Sequence, residues 1–205
     1  MASIRSVPWI ILLALLGPGA VSAQAARATQ PAPAADAQAQ NPAQAANSNL
    51  IVNEGVADWT VRCFQVKSIA PCDIVLVASN KENGQRVLLV SIAYVPSKDS
   101  YVMQMIVPLG VSFAKGMSME AGAKTLTGVA FNRCENDGCY IEMAVPTETI
   151  QALMAVGKTS NISLTPYGKT NVVKLPLSLN GFADALNKMK GYAKDKATNP
   201  PPQPQ

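Results

Sequence analysis

The sequence predicts a mostly β protein, an antiparallel β-sandwich with two short helices and disulfide cross-links. Eight short segments carry apolar residues that alternate or run together in the manner of strands. Turn residues separate these segments at the spacing typical of sandwich domains. Four cysteines follow a predicted export signal, and exported domains commonly pair their thiols.

The first 23 residues predict a signal peptide. Arg5 supplies the basic start, residues 7–16 form a short apolar stretch, and Val21-Ser22-Ala23 is a small-residue cleavage site. The alternative is an uncleaved membrane anchor, but Gly17-Pro18-Gly19 ends the apolar run well short of the roughly 20 residues that a span needs. We therefore expect a mature chain that begins at Gln24 and contains no integral membrane span.

The organisation of the remaining chain follows its composition. Residues 24–50 are dominated by Ala, Gln and Pro, with too few large apolar side chains to offset the entropy of ordering, and they predict a disordered linker. Residues 193–205 end in a proline-rich run and predict a disordered tail. Residues 51–192 form one domain, which is long enough to bury a core without help from the disulfides.

The predicted strands begin with a segment that alternates around Trp59, Val61 and Cys63. Asn83-Gly84 predicts a hairpin turn between the second and third strands. The third and fourth predicted strands are longer apolar runs, a pattern typical of strands that are buried on both faces. The full set of predicted strands comprises residues 56–64, 72–78, 87–95, 101–107, 129–134, 139–145, 161–165 and 172–177.

The first predicted helix follows the sixth strand. Thr147 is expected to cap a helix that runs to Val156, with Gly157 as its left-handed stop. We expect one apolar face, which packs on a sheet and contains Ile150, Leu153 and Met154.

The second predicted helix runs from Gly181 to Lys190, capped by Ser178 or Asn180. Its apolar face contains Phe182, Leu186 and Met189. We interpret both apolar stripes as core, because a surface helix normally buries one such face.

The four cysteines permit three pairings. We favour the local pairs, Cys63 with Cys72 and Cys134 with Cys139, because each joins the ends of one strand-loop-strand unit. Loop-closure entropy gives about 2 to 3 kcal/mol to each local pair and about 4 or more to the long-range ones, so entropy does not select the pairing. The separations fit neither a zinc site nor a Cys-x-x-Cys redox centre.

The chain contains no histidine, which removes the most common general base and metal ligand. Ser91, Ser112 and Ser178 lie in no recognisable nucleophile motif, and the acidic loop from Glu135 to Asp137 lacks the spaced carboxylates of an EF-hand calcium site. We predict a protein that is not an enzyme, with no catalytic residues, metal or cofactor. A pair of carboxylates brought together by the fold stays open, because glycoside hydrolysis needs no histidine.

Basic residues are scattered along the chain, whose net charge is only +4. A nucleic-acid-binding protein concentrates lysines and arginines in a stripe, so we expect no nucleic-acid partner. The one run of lysines surrounds the predicted end of the second helix, where the helix dipole favours cations; binding of anionic lipid is the alternative. This run comprises Lys188, Lys190, Lys194 and Lys196.

Several short motifs occur in an order that resembles the invasion-associated locus B family, over residues 56–189. The first is Asp58-Trp59-x-Val61-x-Cys63, which is followed by the strand that begins at Cys72. The others are Val107-Pro108-Leu109-Gly110-Val111, Cys134 with Gly138-Cys139, and Leu175-Pro176-Leu177-Ser178-Leu179-x-Gly181-Phe182. The resemblance implies an exported alphaproteobacterial protein with an immunoglobulin-like sandwich, associated in pathogenic members with host-cell entry. It implies no catalytic residues.

We therefore expect a non-catalytic interaction protein that is periplasmic, with outer-membrane association or secretion as the alternatives. Its expected partner is an envelope or host-surface protein, which exposed sheet edges and loops would bind. The binding residues are unknown at this level. Two alternatives stay open: a carboxylate-dependent hydrolase of envelope polysaccharide, and a purely structural envelope or stress protein.

Overall fold

The computed structural model describes residues 50–65 and 67–198 as β-strands joined by loops and two α-helices. The predicted signal peptide, all of the predicted linker except Leu50, and the last seven residues of the predicted tail lie outside the described residues. The strands are β1 Leu50–Val56, β2 Trp59–Phe64, β3 Cys72–Ser79, β4 Arg86–Val95, β5 Ser100–Val107, β6 Met117–Ala121, β7 Lys124–Val129, β8 Arg133–Glu135, β9 Gly138–Val145, β10 Thr159–Leu164 and β11 Val173–Ser178. The helices are α1 Thr147–Ala155 and α2 Phe182–Thr198, with 3-10 turns at Pro96–Lys98 and Phe113–Lys115.

The strands form two antiparallel sheets, which confirms the predicted β-sandwich. The large sheet has the order β1-β2-β3-β4-β5-β9-β8, and the small sheet has the order β11-β10-β6-β7. The first five strands of the large sheet are a meander, in which each strand pairs with the next one along the chain. Immunoglobulin domains connect their strands as Greek keys, so the likeness to them lies in the two-sheet architecture.

The core lies on one face of the large sheet, which we call its inner face. The register aligns Val61, Ile74, Ile92 and Met103 on four neighbouring strands, and all four are buried. The small sheet and both helices contribute to the same apolar cluster. Each fully buried side chain of this size stabilises the fold by about 1.5 to 3 kcal/mol. The alternation of apolar residues along the strands therefore determines which face of the large sheet is buried.

Trp59 joins the large sheet to the end of the small one. Its indole N–H donates a hydrogen bond to the carbonyl of Ser178 at 3.1 Å, where β11 ends. Its ring lies 5.2 Å from that of Phe182, at the start of α2. This contact directs α2 across the inner face, where the helix packs on β2, β3 and β4.

Helix α1 begins differently from the prediction. Pro146 occupies the capping position and makes no side-chain cap, so Thr147 is the first helical residue and not the cap. Pro146 has a φ of −57° and a ψ of 138°, so its backbone is extended and the helix begins at the next residue. Met154, expected on the buried face, is exposed, whereas Thr149 is buried. The stop at Gly157 is confirmed by its φ of +95°.

Helix α2 is longer than predicted, and residues 193–198 are helical where a disordered tail was expected. Ala193 continues the buried stripe one turn beyond Met189, whereas the predicted helix ended at Lys190. The residues that follow are mostly good helix formers. Lys188 and Lys190 are therefore mid-helix and pair with Glu54 and Asp99, so the helix-end interpretation of these two lysines is wrong. No helix among the described residues is long and apolar enough to cross a membrane.

The strand predictions fail where segments are short or interrupted. The segment predicted as one strand, 56–64, is divided by a turn at Ala57, whose φ is +52°. The segment 129–134 spans the end of β7, a connection and the start of β8. The prediction omitted β1, β6 and most of β7, because their polar and glycine residues weaken the apolar alternation.

Candidate binding surfaces

Both disulfides join directly opposed residues of neighbouring strands. Cys63 pairs with Cys72 between β2 and β3, and Cys134 pairs with Cys139 between β8 and β9. These are the two local pairs that the sequence favours. All four sulfurs are used in this way, so none is a thiolate ligand or nucleophile.

The side of the large sheet that faces away from the core, which we call its outer face, carries an ion pair next to the first disulfide. Arg62 and Asp73 are opposite each other in the register, one residue from the cysteines. The guanidinium donates two hydrogen bonds to the carboxylate, at 3.0 and 2.5 Å. Ser91 on β4 donates a third, at 2.7 Å. The largely buried carboxylate is thereby fully engaged, as a buried charge requires.

The other end of the outer face is built on the second disulfide. Arg133 lies opposite Tyr140, and its guanidinium is 4.1 Å from the centre of the Tyr140 ring. It also pairs with Glu135 at 2.6 Å and Glu142 at 2.9 Å. Gln104 on β5 donates a hydrogen bond to Glu142 at 2.7 Å. Arg133 and then Gln104 hold the pKa of the Glu142 carboxyl below its ordinary value, so Glu142 is charged at neutral pH.

A shallow concavity of about 440 Å³ lies between these two charged ends, over β4, β5 and β9. Its floor is made of small side chains, and Val102 within it is 38% exposed. Glu142 is its one carboxylate. The residues that line it on the outer face are Ser91, Ala93, Val102, Gln104, Glu142 and Ala144.

A second cleft, of about 490 Å³, lies where β3 faces β11 at the open side of the sandwich. It also contains one carboxylate, Asp58, which accepts a hydrogen bond from the Ser178 hydroxyl at 2.5 Å. Ser178 and Ser91 thus each donate to a carboxylate with no imidazole nearby. Neither serine has the partner that would make it a nucleophile.

Five carboxylates of the described residues are held as anions by neighbouring side chains. Every carboxylate whose pKa is shifted has a lowered pKa, caused first by a hydrogen bond from a neighbouring side chain; these are Glu54, Asp99, Glu120, Asp137 and Glu142. A glycosidase acid needs a raised pKa instead. In the part of the chain that the structure describes, no three acidic or sulfur ligands cluster as a metal site.

Three of the four edge strands carry features that weaken them as binding sites; the fourth, β1, is a seven-residue edge strand. Pro176 in edge strand β11 has no N–H to offer an added strand, and edge strand β8 has only three residues. Edge strand β7 carries Lys124 and Gly128. Such features discourage strand addition at these three edges.

Comparison with known proteins identifies the family of this chain. A family model described as invasion associated locus B (IalB) protein matches residues 59–190, from Trp59 in β2 to Lys190 in α2. This chain belongs to the IalB family. The match includes both disulfides, the whole concavity and most of the core.

Two IalB relatives are Invasion protein B homologs of Brucella abortus, from strain 2308 and from biovar 1 strain 9-941. Each is 28% identical over 144 residues, which cover 70% of this chain and 82% of the relative. The crystal structure of invasion associated protein b from Bartonella henselae matches with a TM-score of 0.61 at 20% identity, over 70% of this chain and 99% of that one. That likeness shows the fold: the Bartonella protein has the same sandwich.

Proposed function

We propose that this IalB-family chain is an exported, non-catalytic protein that binds an envelope or host-surface protein on its outer face. The observation that carries the proposal is the concavity between two fixed charged ends, Arg62 with Asp73 and Arg133 with Glu142. Export, periplasmic or surface location and a part in host-cell invasion belong to the same proposal. The predicted signal peptide supports export, and the names of the Brucella and Bartonella relatives support invasion.

The outer face is suited to binding because its side chains are already ordered. Arg62 and Arg133 are held by ion pairs, so little rotamer freedom remains to be lost when a partner docks. Arginine and tyrosine are the residue types that most often dominate protein interfaces. The small side chains of Ala93 and Ala144 leave room for a partner's side chain between the two ends.

Hydrolysis is less well supported than binding. A glycosidase needs two facing carboxylates, one of them with a raised pKa, whereas each of the two concavities contains a single carboxylate. The pKa of the one over the outer face, Glu142, is lowered. A purely structural role would not require the open, charged concavity.

Photo-crosslinking from Val102 tests the proposal. A photoreactive residue at position 102, expressed in the native cell with and without host cells, should capture one protein reproducibly. The matched control places the same residue at Ala123, an exposed position in the turn between β6 and β7. Equal capture from both positions, or none from Val102, would refute binding on the outer face.

A separate assay tests the hydrolase alternative. Purified chain should release no reducing sugar from envelope polysaccharide, and Glu142→Gln should leave that result unchanged. Release by wild-type chain that Glu142→Gln abolishes would replace the binding proposal with hydrolysis.

A further inference from the structure

One end of the sandwich presents two loops that are tied to each other. They join β5 to β6 and β10 to β11, and they pair at Val111 and Pro166. The N–H of Ser112 donates to the carbonyl of Thr165 at 2.8 Å, and the N–H of Tyr167 donates to the carbonyl of Gly110 at 2.7 Å. Loops bonded in this way hold their side chains in place better than free loops do.

Three large apolar side chains project from these loops: Leu109 is 56% exposed, Phe113 is 50% exposed and Tyr167 is 80% exposed. We call them the tip surface. One face of Phe113 is anchored by Phe131, whose ring centre is 5.2 Å away. Single exposed apolar residues need no explanation, but three on one pair of bonded loops mark an interaction site.

The charged side chains of these two loops are all of one sign. The loops contain two exposed lysines, Lys115 and Lys169, and no Asp or Glu from residue 108 to 116 or from 165 to 172. No carboxylate of the described residues lies within 4.0 Å of either ammonium group. By contrast, most of the charged groups on the outer face are already paired.

This combination fits an anionic lipid surface better than a protein. A stable protein interface uses about 20 to 30 residues on each side, far more than the tip surface offers. Membrane-surface binding depends instead on a few buried apolar side chains and on cations that face anionic headgroups. Tyrosine is enriched at the level of the headgroups, where its ring and hydroxyl are both accommodated.

We propose that the tip surface docks the protein on bilayers that contain anionic phospholipid. Leu109 and Phe113 enter the boundary between headgroups and acyl chains, Tyr167 lies among the headgroups, and Lys115 and Lys169 face the phosphates. This contact is separate from the outer face, so the protein can be held at a membrane while it binds another protein.

Vesicle co-sedimentation of the chain from Gln24 to Gln205 tests this proposal. The chain should sediment with vesicles of phosphatidylcholine mixed with phosphatidylglycerol and stay in solution with phosphatidylcholine alone. The double variant Leu109→Ser with Tyr167→Ser should weaken binding at least tenfold. The double variant Lys115→Gln with Lys169→Gln should also weaken it, by about fivefold per lysine, and added salt should weaken wild-type binding.

Matched controls come from the opposite end of the sandwich. Ile69, in the loop between β2 and β3, is 73% exposed, and Lys67 lies in the same loop. Ile69→Ser and Lys67→Gln should bind the mixed vesicles as wild type does. All four tested side chains of the tip are exposed, so the melting temperatures of the variants should equal that of wild type.

Three results would overturn the proposal: no sedimentation with the mixed vesicles, equal loss in the Ile69→Ser control, or unchanged binding by both tip variants. Capture of a protein from a photoreactive residue at Tyr167, with no vesicle binding, would make the tip a protein-binding site instead. Crosslinking from Val102 reads out the outer face independently, so failure of lipid binding leaves the proposed function standing.

Discussion

The two disulfide hairpins of the large sheet share a sequence pattern but stabilise different parts of the molecule. In each, an arginine precedes the first cysteine, as Arg62-Cys63 and as Arg133-Cys134, and the cysteines face each other in the register. Cys63 and Cys72 are completely buried, whereas Cys134 is exposed. The first disulfide therefore belongs to the core, and the second fixes a surface hairpin.

Each disulfide links two strands and also fixes the position of the arginine that precedes its first cysteine. Because side chains alternate along a strand, a cysteine on the inner face places its neighbouring arginine on the outer face. At β2 and β3 this orients Arg62 toward Asp73, and at β8 and β9 it orients Arg133 over Tyr140. Both ends of the proposed binding face are thus positioned by disulfides.

Removing the buried disulfide should have the largest effect on stability. We expect the double variant Cys63→Ala with Cys72→Ala to lower the free energy of unfolding by about 4 to 5 kcal/mol, the upper end of the range for native disulfides in small exported domains, because two core side chains are also lost. Urea unfolding measures this change. A loss no larger than that of the second disulfide would contradict the distinction between core and surface.

Removing the exposed disulfide should lower the free energy of unfolding by less, about 2 kcal/mol. This disulfide closes a shorter loop, and only one of its cysteines, Cys139, is buried. The double variant Cys134→Ala with Cys139→Ala should nevertheless reduce crosslinking from Val102, since Arg133 loses its fixed position. Stability is again read from urea unfolding. Full crosslinking in this variant would show that the hairpin is not part of the binding face.

The two ion pairs next to the disulfides should also contribute unequally to stability, with the larger contribution next to the buried disulfide. Asp73→Asn should destabilise by about 1 to 2 kcal/mol, because the largely buried carboxylate accepts from both Arg62 and Ser91. Glu135→Gln should leave the melting temperature unchanged, since its pair with Arg133 is exposed to solvent. Thermal unfolding of both variants compares them directly, and equal shifts would contradict the account.

A pH-dependent contribution to stability is expected from Asp137, in the turn of the second hairpin. Hydrogen bonds from Tyr140 and then Arg86 lower the pKa of Asp137 below its usual 3.8. A lowered pKa in the folded state stabilises the protein above the unfolded pKa, and this stability is lost as the pH falls through the folded pKa. Asp137→Asn should therefore lower the urea midpoint at neutral pH, and it should not lower the midpoint at a pH below the folded-state pKa of Asp137. A difference that stays constant with pH would show that the charge of Asp137 is irrelevant.

The sequence was sufficient for the large features of the fold and for the pairing of the cysteines. Long apolar runs such as 87–95 fix strands because their pattern admits few alternatives, and strands β4 and β5 lie where they were predicted. Short strands such as β6, whose five residues include Ser118 and Glu120, contain too few apolar residues to be recognised as strands from the sequence. The end of α2 was misplaced because the burial of Ala193 depends on the sheet beneath it.

The binding surfaces could not be predicted, because they depend on residues far apart in the sequence. The outer face brings Arg62 and Asp73 into one surface with Glu142, through a strand order in which β9 inserts between β5 and β8. The tip surface joins loops that are more than fifty residues apart along the chain. The motif from Val107 to Val111 is visible in the sequence. Only the pairing of Val111 with Pro166, which the structure shows, places Leu109 in an exposed cluster.

The most direct test of the central claim compares crosslinking from Val102 in the wild-type background and with Ala144→Arg. Ala144 is exposed on the concavity floor, opposite Val102 in the register, so the arginine should fill the site without entering the core. We predict that Ala144→Arg abolishes the crosslinked product, whereas the matched change Ala123→Arg leaves it intact. Undiminished crosslinking with Ala144→Arg would contradict binding at the outer face.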